Sequence, residues 1–268
     1  MYLLRIFFVL ICIQTSWAQG LWMYPNKGQW DNRILYNHPL ASGRLYVESD
    51  GLTYFLSDAT FHEHEEKNDH PSDAHQTCHA IKHNFIHAQD VPFVAKDSST
   101  HYHNYFLGND PSKWQSSIRG TSALSAKKYF PDGDLNYLFE KDQFAFHLEL
   151  KPHGDIHHFD FTISGADTTF IDKQGLLHIT HSFGEITYSK PKAWVLLSEN
   201  ERSEVPIEFV INDGIISFQV NSAYDENFPL FIDPSLTFST FTGSPVDNWG
   251  FTATPDVNGN LFGGGIVF

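Results

Sequence analysis

The chain has 268 residues and a formal net charge of −15, from 17 basic and 32 acidic side chains. A protein this acidic, without a stripe of lysine and arginine, is poorly suited to binding the phosphate backbone, which excludes nucleic acid as a partner class. Hydrophobic residues make up 41% and aromatic residues 15% of the chain, so the mature protein has enough apolar side chains to fold.

The first residues have the layout of a secretory signal peptide. Arg5 precedes an apolar run over residues 6–13, and a short polar stretch ends at Ala18, after which cleavage is expected. The apolar run is shorter than the about 20 residues that a transmembrane helix needs. Residues 1–18 are therefore predicted to be removed from a protein that is secreted or displayed at the cell surface, with no transmembrane segment. In the mature chain Cys78 is the only cysteine, so no intramolecular disulfide can form.

Apolar and polar residues alternate with a period of two through much of the mature chain, which predicts β-strands. Glycine tolerates the positive φ of a tight turn, so strand pairs that flank a glycine turn predict hairpins. Three such pairs are residues 45–48 with 52–56, 169–172 with 176–180, and 207–211 with 215–220. Many short strands with close turns are typical of an all-β fold, here an antiparallel β-sandwich-like domain over residues 19–234.

Residues 61–103 differ in composition from the rest of the chain. They contain few aliphatic residues and nine of the 16 histidines. We expect an exposed insertion between strands here, and the least ordered part of the mature domain. Within it, residues 73–88 are the best candidate for a helix.

Four histidines in this segment raise the hypothesis of a metal site. Imidazoles spaced by four residues lie on one face of a helix, and Zn²⁺ accepts such ligands. The spacing places His75, His79, His83 and His87 in this set. A solvated polar loop without a metal is the alternative.

A second hypothesis concerns Ca²⁺ near the carboxyl end of the chain. Asp256, Asn258 and Asn260 alternate around Gly259, and such carboxylate and amide oxygens can wrap a hard cation. The residues that follow lack the distal glutamate of an EF-hand, so a plain turn is the alternative. Neither metal is required by the sequence as a cofactor.

The sequence contains no recognisable catalytic motif. It has no G-x-S-x-G, no phosphate-cradling glycine loop and no dinucleotide fingerprint. Asp132 and Asp134 resemble a carboxylate pair, but Pro-Asp-Gly-Asp is first a turn sequence. We therefore expect that the protein is not an enzyme.

A change to Ser-, Thr-, Gly- and Asn-rich sequence follows Ile232-Asp233-Pro234 and predicts a domain boundary there. Before it, several motifs occur in order, including Asn26-Lys27-Gly28-Gln29-Trp30, Gly51-Leu52-Thr53-Tyr54, residues 104–114 (NYFLGNDPSKW), residues 129–135 (YFPDGDL), Lys151-Pro152-His153-Gly154, Gly184-Glu185-Ile186-Thr187 and Phe231-Ile232-Asp233-Pro234. Over residues 23–234 the chain resembles the uncharacterised amino-terminal domain of bacterial surface proteins that carry β-propeller repeats. Residues 235–268 are similar to the start of an SBBP-type propeller repeat.

The resemblance implies a long, exported, repeat-bearing protein, often sorted by type IX secretion. Because a single repeat cannot bury both of its faces, further domains are expected beyond residue 268. The leading hypothesis is a non-catalytic structural or adhesive module that supports a propeller, and it is the propeller that would contact an extracellular protein or glycan surface. A carbohydrate-binding or carbohydrate-processing ectoprotein is the second hypothesis, and a metal-binding ectodomain is the third.

Overall fold

A computed structural model describes residues 21–40, 43–57, 77–140, 143–198, 201–234, 236–240, 249–255 and 261–266. Within these residues the fold is all-β, as predicted: strands form several antiparallel sheets, none of them closed, and there is no α-helix. No helix in this part of the chain is long and apolar enough to cross a membrane.

The largest sheet has eight strands. They are β1 (Tyr24–Pro25), β2 (Ile34–Leu40), β3 (Gly43–Glu48), β4 (Gly51–Ser57), β5 (Cys78–Phe85), β12 (Phe161–Ser164), β18 (Ile207–Asn212) and β19 (Ile215–Val220). Their order across the sheet is β1-β2-β3-β4-β5-β12-β19-β18. The strands from β1 to β5 therefore form a meander, while β12, β19 and β18 complete the sheet from a later part of the chain.

A seven-stranded sheet packs against the first. It contains β6 (Val94–Lys96), β9 (Ala123–Phe130), β10 (Gly133–Glu140), β11 (Gln143–Leu150), β16 (Lys192–Ser198), β17 (Glu201–Val205) and β20 (Leu230–Asp233). The order is β17-β16-β20-β11-β10-β9-β6. The two sheets meet where the ring of Phe85 on β5 lies 5.8 Å from that of Phe146 on β11, centroid to centroid.

Three smaller sheets complete the described chain. A four-stranded sheet consists of β13 (Thr168–Ile171), β14 (Leu177–His181), β15 (Gly184–Tyr188) and β21 (Leu236–Thr240), and two-stranded sheets pair β7 (His103–Tyr105) with β8 (Gln115–Ile118) and β22 (Trp249–Pro255) with β23 (Leu261–Ile266). Two short 3-10 helices, η1 (Pro111–Lys113) and η2 (Ile156–Phe159), lie in connections.

The three predicted hairpins are confirmed. They are β3–β4, β13–β14 and β18–β19, each antiparallel and in continuous register. In the last, Asp213 and Gly214 have φ values of 50° and 80°, the left-handed conformations that a tight two-residue turn requires. Local turn chemistry and period-two alternation were therefore sufficient to place these strands.

The predicted helix over residues 73–88 is wrong where the structure describes it, and the predicted insertion over residues 61–103 is wrong for residues 78–85, whereas residues 86–98 are mostly exposed. Residues 78–85 form β5, which lies inside the large sheet between β4 and β12. Ile81, His83 and Phe85 are buried. A spacing of four residues is a multiple of two, so residues that share a helix face also share a strand face. Residues 58–76, which include the other histidine-rich part, lie outside the described residues.

The predicted boundary at Pro234 does not coincide with the end of strand pairing. Strand β21 follows directly and pairs with β15, from Tyr188 opposite Leu236 to Gly184 opposite Thr240. It therefore completes the four-stranded sheet of the preceding domain. Among the described strands, β22 and β23 pair only with each other.

The pairing of β21 with β15 adds a specific test to the prediction that residues 19–234 fold alone. A chain that ends at Pro234 should keep one cooperative unfolding transition, since the core residues of both large sheets remain. Strand β15 would become an edge strand, and its amides that now bond to β21 should exchange faster with solvent. Native-state hydrogen exchange on the chains 19–234 and 19–268 measures both quantities. Loss of the cooperative transition in the shorter chain would show that the tail is integral to the domain.

Candidate functional site

The hairpin formed by β7, η1 and β8 carries a group of exposed apolar side chains. We call residues 102–118 the aromatic hairpin. Tyr102, Phe106, Leu107 and Trp114 retain between 42% and 60% of their accessible surface. Isolated exposed apolar residues are ordinary, but four within one short segment, with the rings of Phe106 and Trp114 in contact, are typical of a contact surface.

The tip of the aromatic hairpin is held by its own hydrogen bonds. Asp110 caps η1, and its Oδ1 accepts from the backbone N of Ser112 at 3.0 Å and from the Ser112 hydroxyl at 2.7 Å. The indole N–H of Trp114 donates to the carbonyl of Gly108 over 3.2 Å. Gly108 has φ +66°, which other residues adopt only with strain. The Trp114 ring is thereby fixed edge-on to Phe106, with centroids 5.7 Å apart.

The base of the hairpin is anchored to the domain. Asn104 Oδ1 accepts from the backbone N of Ser117 at 2.9 Å, and Ser117 has φ +59° where the ladder is irregular. Ile118, at the end of β8, is only 6% exposed. The exposed tip is therefore presented from a fixed base.

A cluster of Tyr24, His101 and His103 lies beside this base. The Tyr24 hydroxyl lies 3.0 Å from His103 Nε2 and 3.4 Å from His101 Nε2. A phenol has one proton, so it can donate to one imidazole and accept from the other. Burial and the neighbouring His101 lower the pKa of His103, and burial raises the pKa of Tyr24. The Tyr24 phenol and the His103 imidazole are therefore favoured in their neutral forms at neutral pH.

Aromatic contacts continue from this cluster to the amino-terminal segment. The rings of His103 and Tyr105 are stacked at 6.2 Å, and Trp30 meets Tyr105 edge-on at 4.9 Å. Gly28 also lies next to the hairpin, because a Cβ built on this glycine would be in contact with the Gln115 side chain at 3.8 Å. Residues 26–30 and 104–114, which both carry motifs of the family resemblance, thus meet at one surface.

A cleft of ≈ 670 Å³ adjoins this surface on the side of Trp30, and Asn26, Asn32 and Asp90 also line it. The Asn26 amide is used within its own loop: its N–H₂ donates to the carbonyls of Asp31 and Ile34, each at 2.8 Å. The Asn26 side chain is therefore engaged in shaping the loop, and Asn32 and Asp90 are among the other polar residues that line the cleft, with Lys27 and Tyr36.

The comparison with protein families concerns most of this chain. A family model described as a domain of unknown function, DUF7948, matches residues 23–235. The chain belongs to the DUF7948 family. The match ends within two residues of the boundary that the sequence predicted at residue 234, and it includes every residue of the aromatic hairpin. No curated protein and no solved structure matches the chain.

The predicted zinc ligands occupy separate environments in this DUF7948 domain. His79 bonds to the Ser182 hydroxyl at 2.8 Å and to the Gly165 carbonyl at 2.5 Å. His83 is fully buried, and His87 is exposed with its ring 5.4 Å from that of His158. Four residues along a strand span about 13 Å, so these imidazoles do not converge as they would on a helix.

Several other predicted ligands lie outside the described residues. They are His75 of the proposed zinc set and Asp256, Asn258 and Asn260 of the proposed calcium loop. The calcium hypothesis therefore stays a prediction, and so does any role of His75.

The carboxylates of Asp132 and Asp134 lie at a turn, as predicted, and have different partners. Asp134 pairs with the Lys127 ammonium at 2.7 Å, whereas Asp132 lies 2.9 Å from His158 Nδ1. The turn joins β9 to β10, with Phe130 opposite Gly133. Each carboxylate is thus engaged by its own local cation or imidazole.

Sequence reasoning missed one group of metal-ligand side chains. Glu140, His147 and Asp233 bring ligand atoms within 4.8 Å of one another on the seven-stranded sheet. They are separated by up to 93 residues in the chain and share no motif. Only the pairing of β11 with β20 brings Asp233 close to the other two.

Proposed function

We propose that this DUF7948 domain is a non-catalytic adhesive module of an exported cell-surface protein, and that the aromatic hairpin makes its contact. The observation that carries the proposal is the exposure of Tyr102, Phe106, Leu107 and Trp114 on one loop. Tyrosine, tryptophan and phenylalanine are the residue types enriched at protein interfaces, where a large apolar body meets a partner.

The rigidity of the hairpin supports this role. Binding costs free energy when loops and side chains must be ordered at the interface, and a surface fixed beforehand avoids much of that cost. The cap at Asp110 and the indole bond to Gly108 fix the tip in advance. The partner in this proposal is an extracellular protein or a glycan surface, and the acidic chain has no role in binding nucleic acid.

The cellular setting of the proposal comes from the sequence. In this proposal the signal peptide over residues 1–18 directs export, and the SBBP-type repeat that residues 235–268 resemble begins a propeller that the module supports, with residues 236–240 shared with the sheet of the module. Sorting by type IX secretion belongs to the same proposal. Mass spectrometry of secreted protein, with the mature terminus expected at Gln19, tests the export step.

Carbohydrate binding is a second candidate, favoured by the cleft beside Trp30. An indole next to Asn32 and Asp90 offers an apolar face together with groups that can bond to hydroxyls. A glycan array probed with the full chain and with its Trp30→Ala variant separates the candidates. Binding that depends on Trp30 but not on Trp114 would favour the cleft over the hairpin.

The adhesive proposal predicts that polar substitutions at the hairpin tip weaken adhesion without unfolding the domain. Phe106→Ser and Trp114→Ser should each weaken adhesion of protein-coated beads to immobilised extracellular proteins and glycans by at least about tenfold, as for residues central to an interface. The free energy of unfolding should change little for Phe106→Ser, because its side chain is 60% exposed.

Leu197→Ser is the matched control, since Leu197 is also exposed (38%) but lies on β16, in another sheet. It should leave bead adhesion at the wild-type level. Equal loss of adhesion in all three variants, or no loss in the hairpin variants, would contradict the assignment of the contact to the aromatic hairpin.

A further inference from the structure

Three side chains from adjacent strands converge on one face of the seven-stranded sheet. His147 Nε2 on β11 lies 3.2 Å from Glu140 Oε1 at the end of β10 and 3.5 Å from Asp233 Oδ1 on β20. The side chains are 26%, 42% and 13% exposed, in the order His147, Glu140, Asp233. Two carboxylates thus approach the same imidazole nitrogen in a partly dehydrated setting.

A second trio with the same residue types provides a contrast within this protein. His178 Nδ1 lies 2.7 Å from Glu185 and Nε2 lies 3.1 Å from Asp172. Here the carboxylates bind opposite nitrogens of the ring, an arrangement that a doubly protonated imidazolium satisfies completely. At His147 both carboxylates instead meet at Nε2, which is the arrangement that three ligands of one ion require.

We propose that Glu140, His147 and Asp233 form a binding site for a divalent transition-metal ion. One imidazole nitrogen and two carboxylate oxygens are a donor set that such ions accept. The ligand atoms already lie within 4.8 Å of one another, close enough for small side-chain adjustments to bring them to about 2.0–2.2 Å from a shared ion. This site is separate from the aromatic hairpin and independent of its function.

The surroundings leave room for further ligands of the ion. A cleft of ≈ 600 Å³ is lined by all three side chains, by three basic residues (Lys190, Lys192 and Arg202) and by one further acidic residue, Glu204. Three protein ligands with an open approach are typical of sites that keep water or a small ligand on the metal. The nearby basic side chains repel a cation, so we expect weaker binding than at a closed structural site.

Mn²⁺ titration of the full chain tests the site, with the free ion followed by its electron paramagnetic resonance signal. Glu140→Gln and Asp233→Asn keep the side-chain shape and remove the charge. Each should weaken Mn²⁺ binding at this site by at least about tenfold. Paramagnetic broadening of amide signals should be strongest in β10, β11 and β20 of the wild-type chain.

Glu185→Gln is the matched control, because Glu185 belongs to the His178 trio, and it should leave Mn²⁺ binding unchanged. Circular dichroism confirms that each variant is folded. The proposal is overturned if the wild-type chain binds no Mn²⁺, if the Glu140 and Asp233 variants bind as the wild type does, or if the broadening is confined to the histidine-rich residues 61–103. None of these outcomes bears on adhesion through the hairpin.

Discussion

Replacing Phe85 with alanine is expected to lower the free energy of unfolding by about 3–5 kcal/mol. The Phe85 ring is 2% exposed and lies between the two large sheets. It meets Phe130 at 5.2 Å and Phe146 at 5.8 Å, both edge-on. Truncation removes these contacts and leaves a cavity that Phe130 and Phe146, held on β9 and β11 of the opposing sheet, cannot easily fill. Denaturant unfolding followed by tryptophan fluorescence measures the change.

The neighbouring residue provides the control. Ile86 follows directly in the chain but is 41% exposed, so Ile86→Ala should change the free energy of unfolding by only about 0.5 kcal/mol. A large difference between the two variants is the result expected for a core strand. If Phe85→Ala lowered the free energy of unfolding no more than Ile86→Ala does, β5 would not be part of the core. That result would support the exposed insertion predicted from composition.

The second large effect concerns acid. His83 is fully buried, and burial lowers its pKa from 6.5 to about 3. In the unfolded chain His83 takes up a proton near pH 6.5, whereas in the folded chain it stays neutral until about pH 3. Between these values the unfolded state binds one more proton. The stability contributed by neutral His83 is therefore complete above pH 6.5 and is lost as the pH falls, by about 1.4 kcal/mol per pH unit.

His83→Asn should remove this part of the pH dependence. Asparagine retains a polar group near Tyr188, whose hydroxyl lies 3.3 Å from His83 Nδ1, but it does not titrate. Between pH 6.5 and 4.5 the wild type should lose about 2 kcal/mol more than the variant, as measured by urea unfolding at each pH. His87→Asn, on the exposed surface after β5, is the control for the substitution itself. Parallel pH profiles for wild type and His83→Asn would refute a neutral, buried His83.

The buried polar group at His83 is part of a chain of hydrogen bonds between the sheets. Tyr188 on β15 connects His83 to the Tyr54 hydroxyl, which is 3.2 Å away on β4. Burial raises the pKa values of both tyrosines, so their phenols stay neutral in acid as well as at neutral pH. Any change in stability on acidification that depends on this chain of hydrogen bonds therefore arises from the histidine.

The histidines show why spacing alone misplaced part of the domain. His79 and His83 are four residues apart, which is compatible with a helix face and equally with one face of a strand. Ile81 and Phe85 distinguish the strand from the helix, because both are buried and continue the period of two. Composition favoured an exposed loop because the segment is polar overall, although β5 needs only a few apolar residues when neighbouring strands cover it.

The sequence by itself determined the class of the fold and its local elements. Alternation along a strand and glycine in a tight turn act within a few residues, so the hairpins at Asp50-Gly51 and Asp213-Gly214 could be predicted without any knowledge of distant contacts. The same is true of the turn at Asp132. The boundary at Pro234 was also predicted from a local feature, the change in composition after this residue. It lies one residue before the end of the family match at residue 235.

Only the tertiary structure decided which distant residues meet. Tyr24 contacts His103 across 79 positions of the chain, and Asp233 reaches His147 because β20 pairs with β11. Strand order across a sheet is set by how the apolar faces of all strands pack together, and no spacing within one segment records it. For that reason both the aromatic hairpin surface and the proposed metal site emerged from the fold, whereas the sequence could supply only the side chains that build them.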